Sequence, residues 1–132
     1  MKTKILMSSS SIIMLGLGIT LSFIPAEIIA FFEFRKTVEL EFIFQLLGAI
    51  LFGFGLMNWM ARRTLIGGIY NKPLAIGNFA HFLVGGLGLA KAVIANPEVH
   101  YIFWVLAAVY VLFAIWFGLV MVKHPLVKTE KS

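Results

Sequence analysis

Residues 99–122 read VHYIFWVLAAVYVLFAIWFGLVMV, and no charged side chain interrupts these 24 residues. Glu98 comes directly before the run and Lys123 directly after it. A helix rises about 1.5 Å per residue and the hydrocarbon core of a bilayer is about 30 Å thick, so about 20 apolar residues can cross it. The run therefore predicts a membrane-spanning helix.

Three more uncharged runs lie upstream, with lengths of 22, 20 and 18 residues between their flanking charges. None of them alternates polar and apolar residues as the strands of a membrane β-barrel do. The sequence predicts an all-α membrane protein, with four transmembrane helices in an antiparallel bundle that forms a single domain over residues 1–132. The four helices are predicted at residues 5–26, 42–61, 73–92 and 99–122.

The composition supports a chain dissolved in a bilayer. Hydrophobic residues make up 61% of the sequence and charged residues only 13%, far fewer than a soluble domain needs to cover its surface. The net charge of +5 does not indicate nucleic-acid binding, because the basic residues are scattered at helix ends where anionic lipid headgroups lie. The charged start MKTKILM is typical of a signal peptide, but no small-x-small cleavage pattern follows, so we expect the first helix to be retained.

The distribution of charge predicts the orientation. Eight of the eleven basic residues lie in the N-terminus, the second loop and the C-terminal tail, whereas five of the six acidic residues lie on the opposite side. Because short cytoplasmic loops carry an excess of Lys and Arg, both termini are predicted to be cytoplasmic.

The segment that follows the first helix mixes bulky apolar residues with charges. Residues 26–40 read AEIIAFFEFRKTVEL, directly after Pro25, which kinks or ends a helix. This pattern predicts a short amphipathic segment that lies in the outer membrane interface. The alternative is that the first helix continues for another turn or two.

Small and polar residues share one face of each predicted helix, and we expect these faces to point inward. Lipid gives helices no hydrophobic reason to associate, so close packing and interhelical hydrogen bonds must hold them together. The predicted inward faces are Ser9, Gly16, Thr20 and Glu27; Gln45, Gly48, Phe52, Gly55 and Trp59; Asn78, His81, Gly85, Gly88 and Ala92; and Ala107, Val111, Ala114 and Gly118, with Tyr110 beside them.

Polar residues at equal depth predict contacts inside the bundle. His81 and Tyr110 both lie near the membrane midplane, where an imidazole–phenol hydrogen bond would satisfy both groups. Such an interior predicts a protein that binds a lipophilic small molecule or a membrane-protein partner, since apolar pockets with a few polar groups suit such ligands. The candidate ligand-binding residues are His81, Asn78, Tyr110, Gln45, Asn58, Glu27 and Lys91.

The sequence gives little support for a catalytic, metal-binding or cofactor-binding site. The three histidines lie at different depths and the chain has no Asp or Cys, so no metal site and no cofactor are predicted. Ser8–Ser11 lie far from His81 and no carboxylate lies at the midplane, so no catalytic residue is predicted. A small transporter or channel and a quinone- or lipid-modifying enzyme stay open as alternatives, as do a purely structural role for His81 and a homo-oligomer.

Two segments, FIPAEIIAFFEF and FQLLGAILFGFGLMNWMARR, resemble small four-helix bacterial inner-membrane proteins of the DoxX-like kind. The shared features are a Pro and aromatic stretch after the first helix and a Gly-rich second helix that ends in Asn, Trp and a basic pair. Here these residues are Pro25, Phe31, Phe32, Gly48, Gly53, Gly55, Asn58, Trp59, Arg62 and Arg63. The resemblance implies a multi-pass protein of the bacterial cytoplasmic membrane, and it transfers no redox residue.

Overall fold

A computed structural model describes residues 2–64 and 71–123 of the chain. Within these ranges the chain forms five helices: α1 (Lys2–Phe23), α2 (Pro25–Phe31), α3 (Val38–Ala61), α4 (Lys72–Ala95) and α5 (Tyr101–Lys123). All except α2 are long and apolar enough to cross a membrane. The predicted all-α class and the four predicted spans are confirmed. The chain is a multi-pass membrane protein.

The helices fall into two compact units, one formed by α1, α2 and α3 and the other by α4 and α5. The single domain over residues 1–132 stays a prediction. Most of the second loop and the tail after Lys123 lie outside the described residues. The cytoplasmic orientation of both termini therefore also stays a prediction.

In the first unit, α1 and α3 pack antiparallel at very short range. A Cβ atom added at Gly18 would lie 2.6 Å from the backbone nitrogen of Phe52 and 2.8 Å from the carbonyl oxygen of Gly48. A Cβ atom added at Gly48 would lie 2.7 Å from the backbone nitrogen of Ser22. Only glycine permits this approach of two backbones, which is how membrane helices associate without a hydrophobic driving force.

The buried face of α1 differs from the predicted one. Gly16 and Thr20 are exposed, and so is Glu27, which belongs to α2, so their predicted inward placement is wrong. The hydroxyl of Thr20 donates to the carbonyl oxygen of Gly16 in the same helix, and this bond satisfies it without a partner helix. The buried side of α1 consists instead of Leu6, Met7, Ser10, Ser11, Met14 and Gly18.

The segment after α1 forms a helix of its own. Ile24 leaves the helical conformation at φ −131° and ψ 49°, and Pro25 then begins α2. Glu33 adopts the left-handed conformation at φ 57°, and the backbone N–H of Phe34 donates to the carbonyl oxygen of Ile29, which closes a Schellman motif. The first helix therefore does not continue through this segment, whereas its location in the interface stays a prediction.

Helix α3 starts four residues before the predicted position 42. The hydroxyl oxygen of Thr37 accepts a hydrogen bond of 3.1 Å from the backbone N–H of Leu40 and so caps the helix. Glu39 and Glu41 in the first turn favour the positive end of the helix dipole, so these charges extend the helix instead of ending it. Gly48 and Gly55 are buried as predicted, but Gln45, Phe52 and Trp59 are exposed.

In the second unit, α4 and α5 also pack antiparallel. Phe79 lies against Gly118, His81 against Tyr110, and Gly86 against Val111. Helix α4 continues past the predicted residue 92 to Ala95, because an exposed Lys91 near a helix end does not interrupt the helix. It ends before Asn96-Pro97, as expected for a residue that precedes proline.

The buried face of α4 is rotated from the predicted one. Gly88 and Ala92 are exposed, whereas the buried residues are Ala75, Asn78, Phe82, Gly86 and Val93. On α5, Ala107, Ala114 and Tyr110 are buried as predicted, together with Phe113, Phe117 and Val120. The bulk of the aromatic side chains decides the rotation, because Phe82 packs against the aromatic side chains of α5.

Candidate functional site

His81 and Tyr110 form the polar pair near the middle of the α4–α5 unit. The His81 Nε2 and Tyr110 Oη atoms lie 3.1 Å apart, within hydrogen-bond distance, and the ring centroids are 5.3 Å apart. The predicted hydrogen bond between them is confirmed. Gly85 makes room for it, because a Cβ atom at that position would lie 2.8 Å from the Tyr110 ring.

Phe82 connects this pair to an aromatic cluster. Its ring centroid lies 5.0 Å from that of Tyr110 in an edge-to-face arrangement and 5.7 Å from that of Phe117, with the two planes only 13° apart. The Phe113 ring is also 5.0 Å away. Phe82 and Phe117 are fully buried, so their positions are fixed by packing.

An apolar groove runs along the same two helices. It has a volume of about 450 Å³, and Phe82, Gly86 and Ala114 form its buried floor. Exposed leucines at its rim include Leu83 and Leu119. The remaining lining residues are Phe79, Leu87, Val111, Ile115, Gly118, Met121 and Val122, so every lining side chain is apolar or absent. We call this feature the α4–α5 groove.

The groove and the polar pair are separate. Neither His81 nor Tyr110 lines the groove, and Phe82 contacts both rings while forming part of the groove floor. The groove occupies residues 79–87 of α4 and 111–122 of α5, which corresponds to a length of about 12–16 Å along the helices. That is about half of the hydrocarbon core, or one leaflet.

A second set of polar contacts joins α1 to α3. The Asn58 side-chain amide donates to the Ser10 hydroxyl at 3.1 Å and to the Met14 sulfur at 3.6 Å. The Ser11 hydroxyl donates to the carbonyl oxygen of Gly55 at 2.7 Å. Sequence reasoning identified Asn58 but missed its partners, and the signal was the run of four serines inside an apolar helix.

The other predicted site residues are dispersed. Asn78 is buried, and its side-chain amide donates to the carbonyl oxygen of Leu74 within its own helix. Gln45, Glu27 and Lys91 are exposed. The ligand-binding role proposed for all seven residues stays a prediction.

The buried polar groups are already engaged within the protein. Across residues 2–64 and 71–123, no buried side-chain nitrogen or oxygen lacks a hydrogen-bond partner. In the same ranges no three His, Cys, Asp or Glu side chains converge as metal ligands would. His81–Tyr110 in the second unit, and Asn58 and Ser11 in the first, connect neighbouring helices, and the lining of the α4–α5 groove is apolar.

Comparison with protein families, with characterised proteins and with solved structures gives no match to this chain. The resemblance to DoxX-like proteins therefore rests on the residues quoted above alone.

Proposed function

We propose that this membrane protein holds the hydrocarbon chain of a lipophilic molecule in the α4–α5 groove. The observation that carries the proposal is a concave surface of about 450 Å³ with no polar side chain in its lining. Its apolar lining suits a hydrocarbon chain, and its length of about one leaflet suits the chain of a lipid that enters from the bilayer.

The physical basis of such binding is shape and not hydrophobicity. Lipid tails gain nothing by leaving lipid for an apolar protein surface, so occupancy depends on dispersion contacts with a fixed, matching wall. The ring of Phe82 supplies part of that wall, and its stacking on the buried ring of Phe117 holds it in place. Gly86 and Gly118 supply the depth, since neither carries a side chain that would fill the groove.

The test uses a phosphatidylcholine that carries a diazirine in the middle of its acyl chain, with the purified protein in nanodiscs. After photolysis, peptide mass spectrometry maps the labelled residues. We expect labels to concentrate on Leu83 and Leu119 at the groove rim. Val84 and Leu112 serve as internal controls, because they lie outside the groove on the same helices.

If labelling depended only on the exposure of each side chain, Val84 and Leu112 would be labelled more strongly than Leu83 and Leu119. Val84 and Leu112 are 70% and 65% exposed, whereas Leu83 and Leu119 are 36% and 50% exposed. Labelling in proportion to exposure would therefore contradict the proposal. As a second check, Leu83→Trp should fill the groove and lower labelling at Leu119, while Val84→Trp should leave it unchanged.

A further inference from the structure

The basic end of the α4–α5 unit lies at one end of the groove. Because the two helices run antiparallel, with Phe79 against Gly118, the start of α4 is level with the end of α5. Lys72 is the first residue of α4 and Lys123 the last of α5. The groove reaches Val122 on α5, so Lys123 follows directly on its outer end, whereas Lys72 lies seven residues before Phe79, the first groove residue of α4.

Lys72 also shares the groove face of α4. Residues spaced three and four positions apart lie on one side of a helix. This spacing connects Lys72 to the groove face through positions 76, 79, 83 and 86. Ile76 is exposed and continues the apolar surface from the groove towards Lys72. A ligand that extends out of the groove along this face therefore meets the Lys72 ammonium group.

The distances match those of a lipid in one leaflet. From Leu87 at the inner end of the groove to Lys72 there are 15 residues, or about 22 Å along the helix. One leaflet of a bilayer, including its headgroups, is also about 20–22 Å thick. A chain that fills the groove would place its headgroup at the level of Lys72.

The two lysines at this end of the α4–α5 unit, Lys72 and Lys123, both carry positive charge. Among the described residues of the α4–α5 unit the acidic side chain is Glu98, which lies between the helices at the opposite end from Lys72 and Lys123. Each Lys near the membrane surface favours anionic lipid about fivefold. The headgroup position is therefore complementary to a negative charge.

We infer that the occupant of the α4–α5 groove is an anionic phospholipid, with one acyl chain in the groove and its phosphate headgroup at Lys72, supported by Lys123. This inference rests on the proposed function, and it adds the class of lipid and the residue that selects it. In the predicted orientation, this lipid belongs to the cytoplasmic leaflet.

The experiment compares two probes with identical diazirine acyl chains, one phosphatidylglycerol and one phosphatidylcholine, at equal fractions in nanodiscs. Labelling of groove residues should favour phosphatidylglycerol about fivefold or more in the native chain. Lys72→Gln should lower that preference by a factor of about five. Lys91→Gln is the matched control, because Lys91 is an exposed lysine at the opposite end of the same helix.

The outcomes separate this inference from the proposed function. Groove labelling that is equal for both probes, or that keeps its preference in Lys72→Gln, overturns the anionic-lipid inference and leaves chain binding in place. An equal loss of preference in Lys91→Gln also overturns the anionic-lipid inference. Such a loss would show that the preference depends on the net charge of the protein and not on the lysine at the end of the groove. Absence of groove enrichment with either probe overturns the proposed function itself.

Discussion

Replacing Gly18 by alanine tests the close packing of α1 on α3. The added Cβ atom would lie 2.6 Å from the Phe52 nitrogen, whereas ordinary contact starts at 3.4 Å. This distance is 3.4 − 2.6 = 0.8 Å short of ordinary contact, so the two backbones must move apart locally. The atoms in the way belong to backbone, so no side-chain rotation relieves the clash.

The matched control is Gly16→Ala, two residues away on the same helix, where an added Cβ atom meets nothing within 4 Å. Both substitutions gain the same helix propensity, so this term cancels in the comparison. What is left is the cost of overpacking, which is about 1–3 kcal/mol. We expect Gly18→Ala to be less stable than Gly16→Ala by that amount.

The stability of the α1–α3 packing can be measured with site-specific dyes, because the chain contains no cysteine that would compete for labelling. Dyes attached to cysteines introduced at the exposed positions Lys4 and Arg63 report the separation of the α1 start from the α3 end. Energy transfer is followed while SDS is titrated into mild detergent micelles, and the midpoints are compared. Equal midpoints for the two alanine variants would refute the short backbone contact between α1 and α3.

Three further predictions concern single polar or strained positions. Asn58→Leu should lower the free energy of unfolding by about 1 kcal/mol in the same titration, because the buried Asn58 amide donates a hydrogen bond to Ser10 of α1. Gln45→Leu is the control, and it should leave the free energy of unfolding unchanged because Gln45 is exposed. A double-mutant cycle of His81→Leu and Tyr110→Phe should give a coupling energy of about 0.6–1.7 kcal/mol, and a value near zero would argue against the hydrogen bond. Glu33→Gly should raise the free energy of unfolding by about 0.5–1 kcal/mol, because the left-handed strain removed exceeds the flexibility that glycine adds to the unfolded chain. A destabilised Glu33→Gly variant would show that the side chain matters more than the backbone.

Several local features were readable from the chain because they depend on near neighbours. Pro25 was expected to kink or end the first helix, and α1 ends at Phe23, two residues before it. The depth of His81 and Tyr110 along antiparallel spans was enough to predict their hydrogen bond, since antiparallel register fixes which residues are level.

The choice of packing face was not readable in the same way. Gly16 and Gly18 differ only in position, yet one meets open space and the other a backbone. On α4, an added Cβ atom at Gly85 would meet the Tyr110 ring, whereas one at Gly88 would meet nothing within 4 Å. Counting small residues cannot separate these pairs, because contact depends on the shape that the opposite helix presents.

By itself, the sequence determined that four apolar helices are long enough to cross a membrane, and it placed their ends to within four residues. Charge spacing and length decide this, because the bilayer penalises each charge separately and has a fixed thickness. Only the tertiary structure decided which side of each helix packs, that Asn58 pairs with Ser10, and that α4 and α5 enclose a groove. In lipid both faces of a helix are apolar, so the hydrophobic pattern that orients helices in water carries no such signal, and complementary shape takes its place.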